Sequence, residues 1–265
     1  MEDWFDPVRD LFDVDHIQDT VRLLVVGAGR VGWAFILMAV SHGLRWIRLI
    51  EPDWVSRRNY ASGFGEVGTG LEKTTFVGNE LMRQSPRISF EASTTPLTVN
   101  DTTAFQSWLP LSTHVALFID SFEVAAHLAT LAYAERPCIY AAVLEQGRTG
   151  EAAWSVPGQT PCLNCTARLA EKRGAQGGQT ALVDVVSTVS VAFRQFMGLC
   201  LVDRRGFDHF RPFVDPRSCL ALVVNRPGGF VETGKSDVPA GVRLVQVVDG
   251  HGRGPSCPTC RGYRP

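Results

Sequence analysis

The stretch RLLVVGAGRVGWAF, residues 22–35, limits the fold more than any other part of the chain. Leu23 to Val26 form an apolar run with no polar break, as a parallel strand covered on both faces requires. Gly27, Gly29 and Gly32 follow at G-x-G-x-x-G spacing, and an apolar helical pattern over 32–43 ends at Gly43. A strand that turns through glycines into a helix aims backbone N–H groups and a helix N-terminus at one point in space. That arrangement suits a nucleotide phosphate.

The rest of the first half repeats the pattern. Strands are predicted over 46–53, 87–94, 113–121 and 137–145, with helices over 71–85 and 123–135 and a short helix in TAFQSWL. Five alternations of strand and helix predict an α/β fold, a doubly wound, Rossmann-like and mostly parallel sheet. In such sheets ligands bind beyond the C-terminal ends of the strands, where Gly27, Glu51 and Asp120 all fall. We therefore divide the chain into an N-terminal arm (1–20), a nucleotide-binding core (21–150) and the remainder of the same domain (151–265). The last part holds a strand leading to a Cys pair, a charged, Gly-rich loop over 166–181 expected to be mobile, and a long apolar helix over 183–203. The short strands CLALVV and VRLVQVV come before the tail.

With 45% apolar and 20% charged residues, a sizeable core can form, and a net charge of −1 gives no field to draw the protein to nucleic acid or a membrane. The acidic N-terminus lacks the basic start and apolar segment of a signal peptide, and runs such as LLVVGAG are too short to span a bilayer. The cytoplasm is the expected compartment. Seven cysteines are present, and four form two CxxC units, Cys162 with Cys165 and Cys257 with Cys260. In a reducing compartment this spacing points to metal rather than disulfides. Four thiolates with no open position favour a structural Zn²⁺, which would clip the tail to the body.

Glu51, at the end of the second strand, is where an NAD enzyme places the acid that holds the ribose, so a dehydrogenase is one reading. The run EPDWVSRRNYASGFGEVGTGLEKT after it resembles the signature of the ThiF/MoeB/HesA superfamily, adenylylating enzymes related to ubiquitin-activating enzymes. Glu51, Asp53, Val55 and Asn59 match its D-x-D-x-V-x-x-x-N, Gly70 and Lys73 its later G-x-x-K, and Asp120 its aspartate after the fourth strand. The two CxxC units match its Cys pairs, so the likeness covers nearly the whole chain. It implies an enzyme that binds ATP and Mg²⁺ and adenylates the C-terminal carboxylate of a small ubiquitin-like or sulfur-carrier protein ending in Gly-Gly. Sulfur transfer or a ubiquitin-like conjugation system would use the product, and the chain would work as a homodimer or heterodimer.

The resemblance also implies roles. Gly27, Gly29 and Gly32 cradle phosphates, Lys73 reaches them, and Asp120 binds Mg²⁺. Glu51 holds the ribose, Asp53 stands beside it, and Asn59 orients phosphate or metal-bound groups. Arg9 is the nearest counterpart of an arginine supplied by a partner subunit. Three departures stand out. The family arginine of N-L-x-R-Q falls on Ser62, which leaves Arg57, Arg58 or another chain to replace it. Asp120 is followed by Ser121 instead of Asn. No cysteine lies in 166–199, and Cys138, Cys200 and Cys219 sit in apolar stretches, so no thioester-forming thiol is expected. The missing arginine keeps open a third reading, a non-catalytic half of a heterodimer.

Overall fold

The computed structural model describes residues 9–57, 59, 64, 66, 68–144, 149–167, 182–216, 219–224, 241–245, 257 and 259–260. The chain opens with helix α1 (Val14–Thr20), whose N-cap Asp13 accepts a hydrogen bond from His16 N at 3.0 Å. Then come β1 (Arg22–Val26), α2 (Arg30–Ser41), β2 (Trp46–Ile50), α3 (Lys73–Gln84) and β3 (Ser89–Ser93). Next are α4 (Thr103–Trp108), β4 (His114–Leu117), α5 (Phe122–Tyr133), β5 (Cys138–Leu144) and β6 (Thr149–Ser155). The described remainder holds α6 (Leu163–Thr166), α7 (Leu182–Cys200), α8 (Phe207–Phe210), a 3₁₀ turn (Arg211–Phe213), β7 (Leu220–Val224) and β8 (Gly241–Val245).

The eight strands form one sheet in the order β3-β2-β1-β4-β5-β6-β7-β8. The first five in that order are parallel, and β6, β7 and β8 are added antiparallel. Val26 is the register partner of both Ile50 and Leu117. The chain winds outward from β1 through β2 to β3 on one side, and through β4 and β5 on the other. The switch point therefore lies at the C-terminal ends of β1 and β4, where a crevice must open.

Alternation along β1 splits the core in two. Leu23 and Val25 point to a layer with α1, α2, α3 and α7, where Phe35 packs on Phe118 and Phe196 at ring separations of 4.8 and 5.4 Å. Leu24 and Val26 point to a second layer with α4, α5 and α6, built on Phe105, Leu109, Ala125, Leu128 and Ala129. The helix α7 is the long apolar helix expected over 183–203, ending three residues earlier. Its 19 residues, with a mean hydropathy of 1.3, are long and apolar enough to cross a membrane by length and composition. In the fold that apolar character serves the core: Val185, Val189, Ala192, Phe193 and Phe196 are buried in the layer that holds α2.

Several predicted elements are shorter in the structure. The strand expected over 113–121 ends at Leu117, because Phe118 N still bonds to Val26 O at 2.8 Å but Ser121 already caps α5 through Val124 N. Asp120 thus lies in the loop after β4 and not on the strand. Cys219 is buried just ahead of β7 and not within it. Of the loop expected over 166–181, residues 168–181 lie outside the described residues, as do Ser62 and Arg58.

Candidate functional site

The three glycines divide the labour. Gly27 has φ +93°, a conformation side chains rarely adopt, and an added Cβ would overlap Phe118 O and lie 2.8 Å from its carbonyl carbon. A Cβ on Gly32 would overlap Gly27 O and lie 3.0 Å from that carbonyl carbon. These two glycines let the turn lie against β4 and let α2 lie against the turn. At Gly29, the N-cap of α2, a Cβ would meet nothing within 4 Å. Gly27 N and Ala28 N are already used, by Ile50 O at 2.9 Å and by a carboxylate oxygen of Glu51 at 2.6 Å. The N–H groups that can face a ligand therefore begin at Gly29.

Glu51 joins three segments. Its Oε2 accepts from Ala28 N, its Oε1 accepts from Asp53 N at 3.0 Å, and Lys73 Nζ lies 3.5 Å from Oε1. The segment after β2 folds back as a short antiparallel pairing. Val55 N bonds to Leu71 O at 2.8 Å, Gly70 N to Val55 O at 3.0 Å, and Lys73 N to Asp53 O at 2.9 Å. This pairing is what brings the first residue of α3 over the end of β2. Lys73 is buried, and its Nζ is 2.9 Å from Asp53 Oδ2. Asn59 holds its own turn: its Oδ1 accepts from Ser56 N at 2.8 Å and from Ser56 Oγ at 2.9 Å. That leaves the amide NH₂ as the group it can present to the crevice.

These groups surround a cavity of about 460 Å³, within the range of small-molecule sites. Gly29, Asp53, Asn59, Lys73 and Asp120 line it, five positions singled out in the sequence and drawn from separate stretches. Glu51 stands behind Lys73 and Asp53 instead of forming a wall. Arg9 is not among the lining residues and pairs with Asp15. Arg57, one of the residues considered for the role left open at Ser62, is exposed and not among them either.

Sequence reasoning missed Arg30, Trp54 and Ser56 on the polar side, and an apolar wall formed by Phe118, Ile119, Phe122 and Ala141 to Leu144. Trp54 carried a signal: it is a large aromatic between two site positions, and it is 60% exposed. The wall carried none, because the end of β5 reads as ordinary core strand.

The ThiF family model matches residues 10–204. The chain belongs to the ThiF family. Membership decides between the two nucleotide readings and places the chain among ATP-dependent adenylyltransferases related to ubiquitin-activating enzymes. Solved structures of E. coli MccB share the fold. The MccB–ATP complex superposes with a TM-score of 0.68 at 16% identity, covering 94% of this chain and 69% of that one. MccB with AMPCPP and MccA gives 0.67 at 17% identity, covering 94% and 68%. The microcin C7 biosynthetic enzyme MccB with N-formylated MccA gives 0.68 at 16%, covering 93% and 69%. Among curated proteins none gives a significant sequence match.

In this ThiF-family chain the four paired cysteines meet, as their spacing predicts. Their sulfurs all lie within 4.8 Å of one another, with Cys162–Cys165 at 3.6 Å, Cys162–Cys257 at 3.8 Å and Cys165–Cys260 at 3.4 Å. A disulfide would need about 2.05 Å. Four sulfurs about 2.3 Å from a central Zn²⁺ would be about 3.8 Å apart, so the donor set fits that ion. The cluster's own hydrogen bonds favour one thiolate: the Cys165 thiol lowers Cys162, the same contact raises Cys165, and burial raises Cys260. The other cysteines are different in kind. Cys138, Cys200 and Cys219 are buried, and burial pushes the Cys138 and Cys200 thiols up, away from nucleophilic thiolate.

Proposed function

We propose that this chain activates the C-terminal carboxylate of a small protein or peptide by joining it to AMP. The observation that carries this reading is the convergence of Gly29, Lys73 and Asp120, from three distant stretches, on one cavity. In the reaction a carboxylate oxygen of the acceptor attacks the α-phosphorus of ATP. The bond from that phosphorus to the bridging oxygen breaks, and pyrophosphate leaves with the electron pair. Two anions must meet, so the site has to lower their repulsion.

Lys73 would do this by turning its ammonium from Asp53 toward the phosphates. The start of α2 would add the positive end of its dipole beyond Gly29. Glu51, enclosed behind Lys73 and Asp53, would fix the turn rather than hold the ribose, and Asn59 would orient a phosphate oxygen through its amide. Asp120 offers a hard carboxylate at the crevice, which fits Mg²⁺ held by one or two protein oxygens plus the nucleotide's own phosphates. That ion would supply charge neutralisation on the departing pyrophosphate. Zn²⁺ would sit in the Cys162–Cys165–Cys257–Cys260 cluster and join the tail to α6.

The acceptor we favour is a ubiquitin-like or sulfur-carrier protein ending in Gly-Gly. MccB is solved with AMPCPP and MccA together, which supports a site that holds a second molecule beside the nucleotide. We further propose a homodimer or heterodimer in the cytoplasm, with Arg9 reaching a neighbouring subunit's site. The test is ATP–pyrophosphate exchange with a peptide ending in Gly-Gly as the free acid and as the amide. Exchange with the acid alone, lost in Lys73→Ala, supports the reading. Absence of exchange with every carboxyl-terminated acceptor, together with a nicotinamide fluorescence change on adding NADH, overturns it. Ser62 in the family's arginine position favours one second reading, a subunit whose partner does the chemistry. Exchange that appears only when a second subunit is added would select it.

A further inference from the structure

We infer that Arg30 is the second cation of the nucleotide's polyphosphate and takes the place of the arginine lost at position 62. This rests on the proposed ATP site. The first ground is charge. Among the described residues lining the cavity, the acids are Asp53 and Asp120 and the cations are Lys73 and Arg30. Lys73 is already answered twice, by Asp53 Oδ2 at 2.9 Å and by Glu51 Oε1 at 3.5 Å. Arg30 is thus the second cation on the cavity wall, next to Gly29 at the start of α2.

The second ground is position. Arg30 is the first residue of α2, directly after the N-cap Gly29, and the first turn of α2 contains no acidic residue. A helix N-terminus carries partial positive charge, so an anion bound there is met by the dipole and the guanidinium together. The third ground is access. The space beside Gly29 is open, since an added Cβ there meets nothing within 4 Å. Arg30 is half-buried at the rim of that opening. A guanidinium can chelate two phosphate oxygens at once, which an ammonium cannot. Arg30 thus binds the β- and γ-phosphates, and Lys73 remains for the α-phosphate.

The experiment is calorimetric titration of the full chain with AMPCPP and Mg²⁺, and separately with AMP, for wild type, Arg30→Gln and Arg30→Lys. Arg30→Gln is expected to weaken AMPCPP about tenfold or more, the effect of one charge-assisted contact, and to leave AMP within about threefold. Arg30→Lys should recover part of the AMPCPP loss. Thermal melts show whether each variant is folded. Equal weakening for both nucleotides, or none for either, overturns the inference while leaving the ATP site intact. A wild-type chain that binds neither nucleotide removes the site reading itself and this inference with it.

Discussion

Gly29 and Gly32 are three residues apart in one motif, yet alanine at the two positions should have opposite consequences. At Gly32 the new methyl would overlap Gly27 O, with Phe118 Cβ at 3.3 Å on the other side. Both the carbonyl and α2 are backbone held by the sheet, so α2 must move. Overpacking of this kind costs about 1–3 kcal/mol, and a backbone obstacle puts it toward the upper end. Alanine's better helix propensity returns up to about 1 kcal/mol. A net loss of roughly 2 kcal/mol should lower Tm by about 4–8 °C for a chain of this size. At Gly29, φ is −65° and the surroundings are empty, so alanine costs only a weaker N-cap, below about 1 kcal/mol. That methyl instead occupies the mouth of the cavity, next to the N–H groups of α2. Gly29→Ala should therefore melt within about 3 °C of wild type and bind AMPCPP at least tenfold more weakly. Thermal melts and calorimetric titration on the two variants separate the cases. A Gly29→Ala protein with wild-type affinity would refute the approach of phosphate at α2. A Gly32→Ala protein with wild-type Tm would refute the packing account of that glycine.

Two further outcomes follow from a buried histidine and from the cysteine cluster. Burial lowers His114 to about 4, against about 6.5 when exposed, so the folded protein keeps it neutral between Thr113 Oγ1 at 2.9 Å and Cys200 Sγ at 3.9 Å. The unfolded chain takes up the proton first, so this contribution is complete above pH 6.5 and lost as pH falls toward 4, about 3 kcal/mol in all. Tm measured from pH 7 to pH 4.5 should fall less steeply in His114→Phe than in wild type, and parallel curves would contradict the assignment. The Cys162–Cys165–Cys257–Cys260 cluster predicts one zinc per chain by elemental analysis. Cys257→Ser should empty it and lower Tm, since metal binding adds to folding free energy; a metal-free wild type of unchanged Tm would contradict it.

The sheet was legible in the sequence because its signals are local. Leu23 to Val26 alternate between two buried layers, so the strand is apolar throughout, and three glycines in fixed spacing mark the turn. The Cys pairs were legible for a similar reason: CxxC fixes two ligands by itself, and only the meeting of the two pairs needed tertiary structure. The crevice was legible in part. Lys73 and Asp120 could be placed by motif order, but the pairing of residues 53–55 with 70–73 that puts Lys73 beside Asp53 leaves no periodic trace. Arg30 and Trp54 were hidden for another reason. Both occupy variable positions inside recognised motifs, where pattern matching passes over the residue that differs. The wall from Ala141 to Leu144 was hidden because a strand end that lines a cavity has the same composition as one that packs against a helix.

The ion pairs around Lys73 explain how a buried cation can also be an available one. A lone ammonium in this position would lose its hydration with nothing in return, and local opening would follow. Glu51 and Asp53 prevent that, but they are not equivalent. The Glu51 side chain is 5% exposed and bound to Ala28 N and Asp53 N, so releasing it would strand a buried carboxylate and loosen the glycine turn. The Asp53 side chain is 68% exposed, so its carboxylate can return to water at little cost when a phosphate competes for Lys73. Under the proposed function, exchange of Asp53 for phosphate would keep the ammonium paired throughout, with Glu51 holding it in place while its other partner changes.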